Sequence, residues 1–270
     1  MQFIVGNDIS QAQGNIDWPV YKDNANFVVI KASEGVHYID SWFGNNRAQA
    51  RAYNLPRVFY HVIRPDLGNT PEDEAQWLLD LLNGDPLKAG ECIALDMESP
   101  FVGAVEWTRA WLDYIYQKTG IKSFIYLNQS LVKQYDWSPV INAGYPLWLA
   151  SYQADGIGEK GLWEKMSMQQ TTSSQTVPGI NTDVDRDIFF GTAEELLALG
   201  YKEKIQNTGS PSTQVPNSEN STPAQQAPYN GQNSESAPDQ SNQEVKIKIS
   251  VLKKILSLLN SLVSLIKGLI

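Results

Sequence analysis

The sequence predicts an α/β fold, an irregular βα barrel whose last third is rich in strands. Three observations predict it. Short β-branched and aromatic runs recur through residues 1–204, helical patterns separate the earlier ones, and polar residues stand at the carboxyl ends of these runs.

Phe3-Ile4-Val5, Phe27-Val28-Val29-Ile30, Val58-Phe59-Tyr60, Cys92-Ile93-Ala94-Leu95, Phe124-Ile125-Tyr126-Leu127 and Leu147-Trp148-Leu149 are continuous rather than alternating. Continuous apolar strands suit a parallel sheet covered on both faces. Between them Ser41–Tyr53, Pro71–Leu82 and Ala104–Lys118 read as helices. Pro71 suits a first helical position, and Gly84 and Gly120 suit C-terminal stops. Strand and helix in alternation imply βαβ units. The later runs, near Met166–Gln170 and over Val184–Phe189, leave little room for helices. A TIM-like barrel with a strand-rich end fits this order, and a doubly wound sheet is the rival.

Composition divides the 270 residues into three stretches: a globular part over 1–204, a Ser-, Asn-, Gln- and Pro-rich linker over 205–243, and an apolar, basic segment over 244–270. The linker holds one aromatic, Tyr229, too little apolar surface to offset the entropy of ordering it. A net charge of −9 argues against a nucleic-acid binder, which would carry a basic footprint. A single cysteine, Cys92, forms no internal disulfide, and two histidines give no histidine-rich metal site.

The chemistry is expected at the carboxyl ends of the strands, where βα barrels build their sites. Asp8, Lys31 with Glu34, His61, Asp96 with Glu98, Asn128 and Tyr152 all stand there. Asp96-Met97-Glu98 is the sharpest element. Two residues apart on a strand, the carboxylates share a face. Like charges held close resist joint ionisation, so one pKa rises while the other stays low. A proton donor beside an anion is what glycoside cleavage requires. An acidic pair alone also fits a solvated strand end. Tyr60, Tyr126, Trp148 and Tyr152 either stack on sugar rings or pack the barrel. His61 reads as a hydrogen-bonded rim residue, Lys31 and Glu34 as an ion pair supporting the pocket, and Cys92 as a small core residue.

Taken together, Asn7-Asp8-Ile9-Ser10, Lys31-Ala32-Ser33-Glu34-Gly35, Tyr60-His61, Leu95-Asp96-Met97-Glu98, Trp148-Leu149-Ala150-Ser151-Tyr152 and Val184-Asp185-Arg186-Asp187-Ile188-Phe189 resemble glycoside hydrolase family 25, the muramidases often found as bacteriophage endolysins. The resemblance covers residues 5–192. It implies a peptidoglycan hydrolase that cleaves between N-acetylmuramic acid and N-acetylglucosamine, with no cofactor and no metal. Glu98 would be the general acid/base and Asp96 its anionic partner, which in one family proposal orients the substrate's acetamido group. Asp8 and Asp185 would complete an acidic floor, and the register of the last motif favours Asp185 over Asp183 and Asp187. Where the family often has Trp-Gln-Tyr this chain has Met168-Gln169-Gln170, so two aromatic surfaces are missing and Gln169 is the matching sugar-binding position.

Ser241-Asn242-Gln243-Glu244 matches a helix capping box. In the 244–270 segment that follows, Leu252, Ile255, Leu259, Leu262, Ile266 and Leu269 gather on one helical face opposite Lys253, Lys254 and Lys267. Such a basic amphipathic helix fits an anionic membrane surface, favoured here, or self-association. The N-terminus shows no basic, apolar export signal, so synthesis in a host cytoplasm and action on the cell wall are expected. Two other functions stay open: a noncatalytic wall-binding barrel, and a membrane-active lysis protein working through its C-terminal helix.

Overall fold

The computed structural model describes residues 2–152 and 156–203. The linker and the amphipathic segment expected beyond residue 204 lie outside them. The described elements run β1 (Ile4–Ile9), α1 (Trp18–Tyr21), β2 (Phe27–Glu34), β3 (Tyr38–Ile39), α2 (Phe43–Ala52), β4 (Arg57–Val62), α3 (Pro71–Asn83) and β5 (Cys92–Met97). They continue with α4 (Ala104–Thr119), β6 (Phe124–Asn128), α5 (Gln129–Gln134), α6 (Ser138–Asn142), β7 (Leu147–Ala150), β8 (Met168–Gln175), β9 (Val184–Phe189) and α7 (Ala193–Leu199). Among the described residues no helix is long and apolar enough to cross a membrane.

Strand order is β1-β9-β8-β7-β6-β5-β4-β2-β3, and β1 also pairs with β2. That last pairing closes eight strands into a barrel, with β3 folded back on β2 as a hairpin outside the ring. A doubly wound sheet has open edges and is excluded. Neighbours are parallel from β1 through β2 and β4 to β8. Within the ring only β9 runs antiparallel, to both β8 and β1. The strand-rich end expected from the sequence is this return strand.

Period-two alternation sorts each strand into two cores. Cys92 and Ala94 of β5 pack inside with Phe27, Val29, Val58, Phe124, Trp148, Met168 and Phe189. Ile93, Leu95 and Met97 face outward against α3 and α4, among Leu78, Leu82, Trp111 and Ile115. Strands covered on both faces therefore read as unbroken apolar runs. Leu196 of α7 joins the inner cluster, and its carbonyl accepts from the Cys92 thiol at 3.4 Å, so this helix plugs the end opposite the site. Gly6 on β1 leaves no room for a side chain: a Cβ there would lie 2.4 Å from the carbonyl oxygen of Phe27. The closure between β1 and β2 depends on that approach.

Local signals fix the long helices where the sequence puts them. Thr70 caps α3 by accepting from the Asp73 amide, Pro71 follows, and Glu72, Asp73 and Glu74 stand in the first turn, where the helix dipole favours anions. Gly120 ends α4 in the left-handed conformation at φ 77°.

His61 corrects an expectation. It is not on the rim but fully buried behind the barrel wall, 0% exposed. Its Nδ1 lies 2.8 Å from Ser33 Oγ, its Nε2 3.1 Å from Glu74, and its ring stacks on Trp111. Its neighbour Tyr60 faces inward, so alternation sends His61 to the helix side. Burial holds its pKa below the ordinary range, which keeps the ring neutral and fits a packing role.

Candidate active site

Asp96 follows Cys92 and Ala94 on the inner face of β5, so its carboxyl enters the barrel mouth. Glu98, two residues on and exposed, lines the same pocket. On the opposite wall Gly6 of β1 pairs with Asp187 of β9. Continuing that antiparallel register sets Asp8 against Asp185, with all three acids on the inward face. Asp8, Asp96, Glu98 and Asp185 thus line one pocket of about 210 Å³. A wider groove of about 530 Å³ shares Asp96, Glu98 and Tyr60 and is lined farther out by Arg64 and Phe101.

Burial lifts the carboxyl of Asp96 well above the ordinary range, and the neighbouring Glu98 adds to it. Asp96 Oδ1 is buried without a hydrogen-bond partner in the protein. Depth in the barrel mouth thus favours the neutral form of Asp96, where the resemblance implies an anion.

A second carboxyl cluster forms across the mouth. Asp187 is fully buried, its Oδ1 accepts from Trp148 Nε1 at 2.8 Å, and its carboxyl meets that of Asp8. Burial pushes Asp187 up to about 8. Burial, together with the charges of Asp187 and Asp185, raises Asp8 well above the ordinary range. Burial also raises Asp185. Two carboxyls in contact away from water share a proton.

That proton has a consequence for stability. Asp187 is protonated in the fold up to about pH 8 but ionises near 3.8 in the unfolded chain. Between those values the native state binds more protons, so this group's stabilisation is complete below about pH 4 and is lost as pH rises through about 8. Urea unfolding of wild type and Asp187→Asn from pH 4.5 to 8.5 tests this. The variant is expected to lose about one proton's worth of the downward slope, and identical slopes in both proteins would refute the shared proton.

The four aromatics expected to bind sugar all line the pocket, in different states. Trp148 is 1% exposed and packs edge-to-face against Tyr126 at 4.6 Å and Tyr60 at 6.1 Å, so it is barrel floor. Tyr152 is 55% exposed and presents an open ring. The expected ion pair of Lys31 and Glu34 is present at 2.9 Å and extends through Arg64 at 2.8 Å to Asp66. Burial works to raise Glu34, but hydrogen bonds from Lys31 and Arg64 hold it below the ordinary range, so this groove wall keeps its charges.

Gln169 is not in the pocket. Its side chain points outward, accepting from the Gly158 amide at 3.1 Å and donating to the Ser151 carbonyl at 2.9 Å, which pins the loop after β7. The inward residue is Gln170. It shares a face with Met168, and period two on β8 places the amide one residue later than expected. Asn7 was quoted only as part of a motif, yet it is 2% exposed and donates to the carbonyl of Asp185 at 2.7 Å, while Tyr21 donates to its Oδ1 at 3.2 Å. It steadies the backbone that carries Asp185. Among the described residues no group of three or more His, Cys, Asp or Glu side chains is arranged to hold a metal ion.

With this geometry in hand, comparison with known proteins is informative. The family model for glycosyl hydrolases family 25 matches residues 7–180. The chain is similar to the uncharacterized protein YegX of Escherichia coli K12, 30% identical over 213 residues, which are 74% of this chain and 75% of that one. It is likewise similar to an autolytic lysozyme of Clostridium acetobutylicum, 30% identical over 189 residues, covering 68% of this chain and 55% of that protein. Among solved structures, the bacterial lysozyme of Streptomyces coelicolor superposes with a TM-score of 0.63 at 25% identity, over 73% of this chain and 96% of that one.

Proposed function

The chain belongs to glycosyl hydrolases family 25 and is a glycoside hydrolase, and from that premise we propose that it hydrolyses the β-1,4 bond between N-acetylmuramic acid and N-acetylglucosamine of peptidoglycan, as a bacteriophage endolysin in host lysis. The observation that carries the reading is the convergence of Asp96, Glu98, Asp8 and Asp185 on one pocket at the barrel mouth, beside the open ring of Tyr152. Two of the similar proteins are named lysozymes.

On this reading Glu98, the acid reached most freely from solvent, protonates the bridging oxygen as the glycosidic bond breaks. Positive charge then develops on the anomeric carbon, and a nearby anion is worth most in a site screened from water. Asp96 meets the substrate as a neutral acid and donates a hydrogen bond to it. The growing positive charge lowers the cost of ionising Asp96, whose proton passes along that hydrogen bond to the substrate. A water then adds to the anomeric carbon and gives its proton to the Glu98 carboxylate, and the substrate returns the other proton to Asp96 as the positive charge is quenched. Asp8 and Asp185 hold the sugar from the other wall. The 244–270 segment, on the same reading, holds the enzyme near an anionic envelope surface.

Digesting purified cell walls, reducing the fragments with borohydride and weighing them identifies the bond. Muramitol at the new reducing ends is expected. Glucosaminitol there would mean the other glycosidic bond is cut, and no reducing ends at all would leave a wall-binding barrel.

A further inference from the structure

Besides the four acids, the Gln170 amide is a buried polar group lining the pocket. Gln170 is 4% exposed on the inner face of β8. Its Nε2 donates to Asp8 Oδ2 at 2.8 Å, and its Oε1 accepts from the hydroxyl of Tyr126 at 2.9 Å and that of Tyr152 at 2.7 Å. The three bonds fix the amide's orientation. Phenols raised in pKa by burial stay protonated and donate to the carbonyl, while the carboxylate, an acceptor, takes the N–H. Turned over, the amide would set its carbonyl oxygen against the Asp8 carboxylate oxygen, acceptor against acceptor.

We propose that Gln170 is a positioning residue for Asp8: it holds one carboxylate oxygen in place, leaves the other to substrate and Asp187, and ties that choice to the seating of Tyr152 over the pocket. The inference rests on the hydrolase reading above. Asp8 sits on β1 and Gln170 on β8, with the return strand β9 between them. A hydrogen bond across this span ties Asp8 to the far side of the return strand. Tyr152, itself exposed, follows β7, and its bond to Gln170 holds that ring above the floor. A substrate sugar that settles on Tyr152 is thereby registered against Asp8.

Gln170→Glu tests this, because it keeps shape and volume and both tyrosine contacts while removing the obligatory donor. The new carboxyl would face Asp8, Asp185 and Asp187 on one side, the hydroxyls of Tyr126 and Tyr152 on another, and Asp96 and Glu98 across the pocket. Protonated, it donates to Asp8 as the amide does; ionised, it repels Asp8. The expected result is a kcat on purified walls close to wild type at the acid end of the profile. With rising pH it should fall by about 10-fold or more relative to wild type, as expected when a donor is lost to a charged partner. A profile superposing on wild type throughout, or a loss equal at every pH, overturns the proposal, since packing alone would produce the latter.

If Gln170→Glu does not fold, as judged by circular dichroism, the double variant Tyr126→Phe/Tyr152→Phe decides. It keeps both rings but frees the amide carbonyl, and kcat is expected to fall by about 2- to 10-fold per bond lost. An unchanged kcat in that variant overturns the proposal. Failure of wild type to release reducing ends would instead sink the hydrolase reading, so the two failures are distinguishable.

Discussion

Replacing Glu98 by Gln is expected to lower the rate of reducing-end release from cell walls by about 10²- to 10⁴-fold, the range for removing a general acid. Gln is isosteric and Glu98 is exposed beyond the end of β5, so the fold and the melting temperature should be unchanged. Wall binding should survive, because the aromatic wall of the pocket and the groove past Arg64 are untouched. The effect therefore belongs in kcat. The substitution also removes a neighbouring charge from Asp96, the second cause, after burial, of its raised pKa. Any residual activity should then follow a pH profile displaced toward acid. Asp96→Asn is the companion. It keeps the neutral hydrogen-bonding partner but cannot become an anion, so substrate should still bind while turnover falls. Wild-type turnover in Glu98→Gln would remove Glu98 from the chemistry altogether. Leakage of bacterial cells undiminished by the same substitution would support membrane damage rather than wall hydrolysis.

The barrel was legible because its strands are buried twice. The runs Phe27–Ile30, Cys92–Leu95 and Phe124–Leu127 fall inside β2, β5 and β6, and a strand with two apolar faces leaves no polar alternation to mislead. The long helices α3 and α4 carried capping and stop signals within their own sequences. The short elements carried little. The hairpin strand β3 has two residues and α6 has five, and such lengths are stable only through tertiary packing. The acids were legible as motif members, but their division of labour was not. The lift of Asp96 depends on its depth in the barrel mouth, and the shared proton of Asp8 and Asp187 depends on an antiparallel register between strands about 180 residues apart in sequence. The misplacement of Gln169 was avoidable. Met168 reads as core, and a strand period of two from it points to Gln170. The same period, taken from Tyr60, would have put His61 on the helix side.

The largest effect on stability is expected far from the pocket, at Glu91. This carboxylate precedes β5 and is 0% exposed. It accepts from Arg51 Nε at 2.6 Å, Arg57 Nε at 2.9 Å, Arg47 Nη2 at 3.4 Å and the Lys88 amide at 2.9 Å. Arg47 is itself buried, its guanidinium 4.9 Å from the ring of Phe59. Three guanidiniums from α2 and β4 therefore converge on one anion. Asp85 takes part of the load through Arg51 and Arg47, but it is partly exposed and solvent screens it. Glu91→Ala leaves three largely buried positive charges facing one another with only the solvent-screened Asp85 as counter-ion. Breaking a buried pair from one side costs about 3–5 kcal/mol, which in a fold of this size lowers the melting temperature by on the order of 10 °C. Added salt should return part of the loss, because the repulsion it screens is one of the variant's two penalties, while desolvation remains. Glu91 lies at the opposite end of β5 from Asp96, about 16 Å away at the rise of an extended strand. Well below the melting point, the kcat of the variant should therefore match wild type. An unchanged melting temperature would mean that the arginines find other partners and that this cluster contributes orientation without net stability.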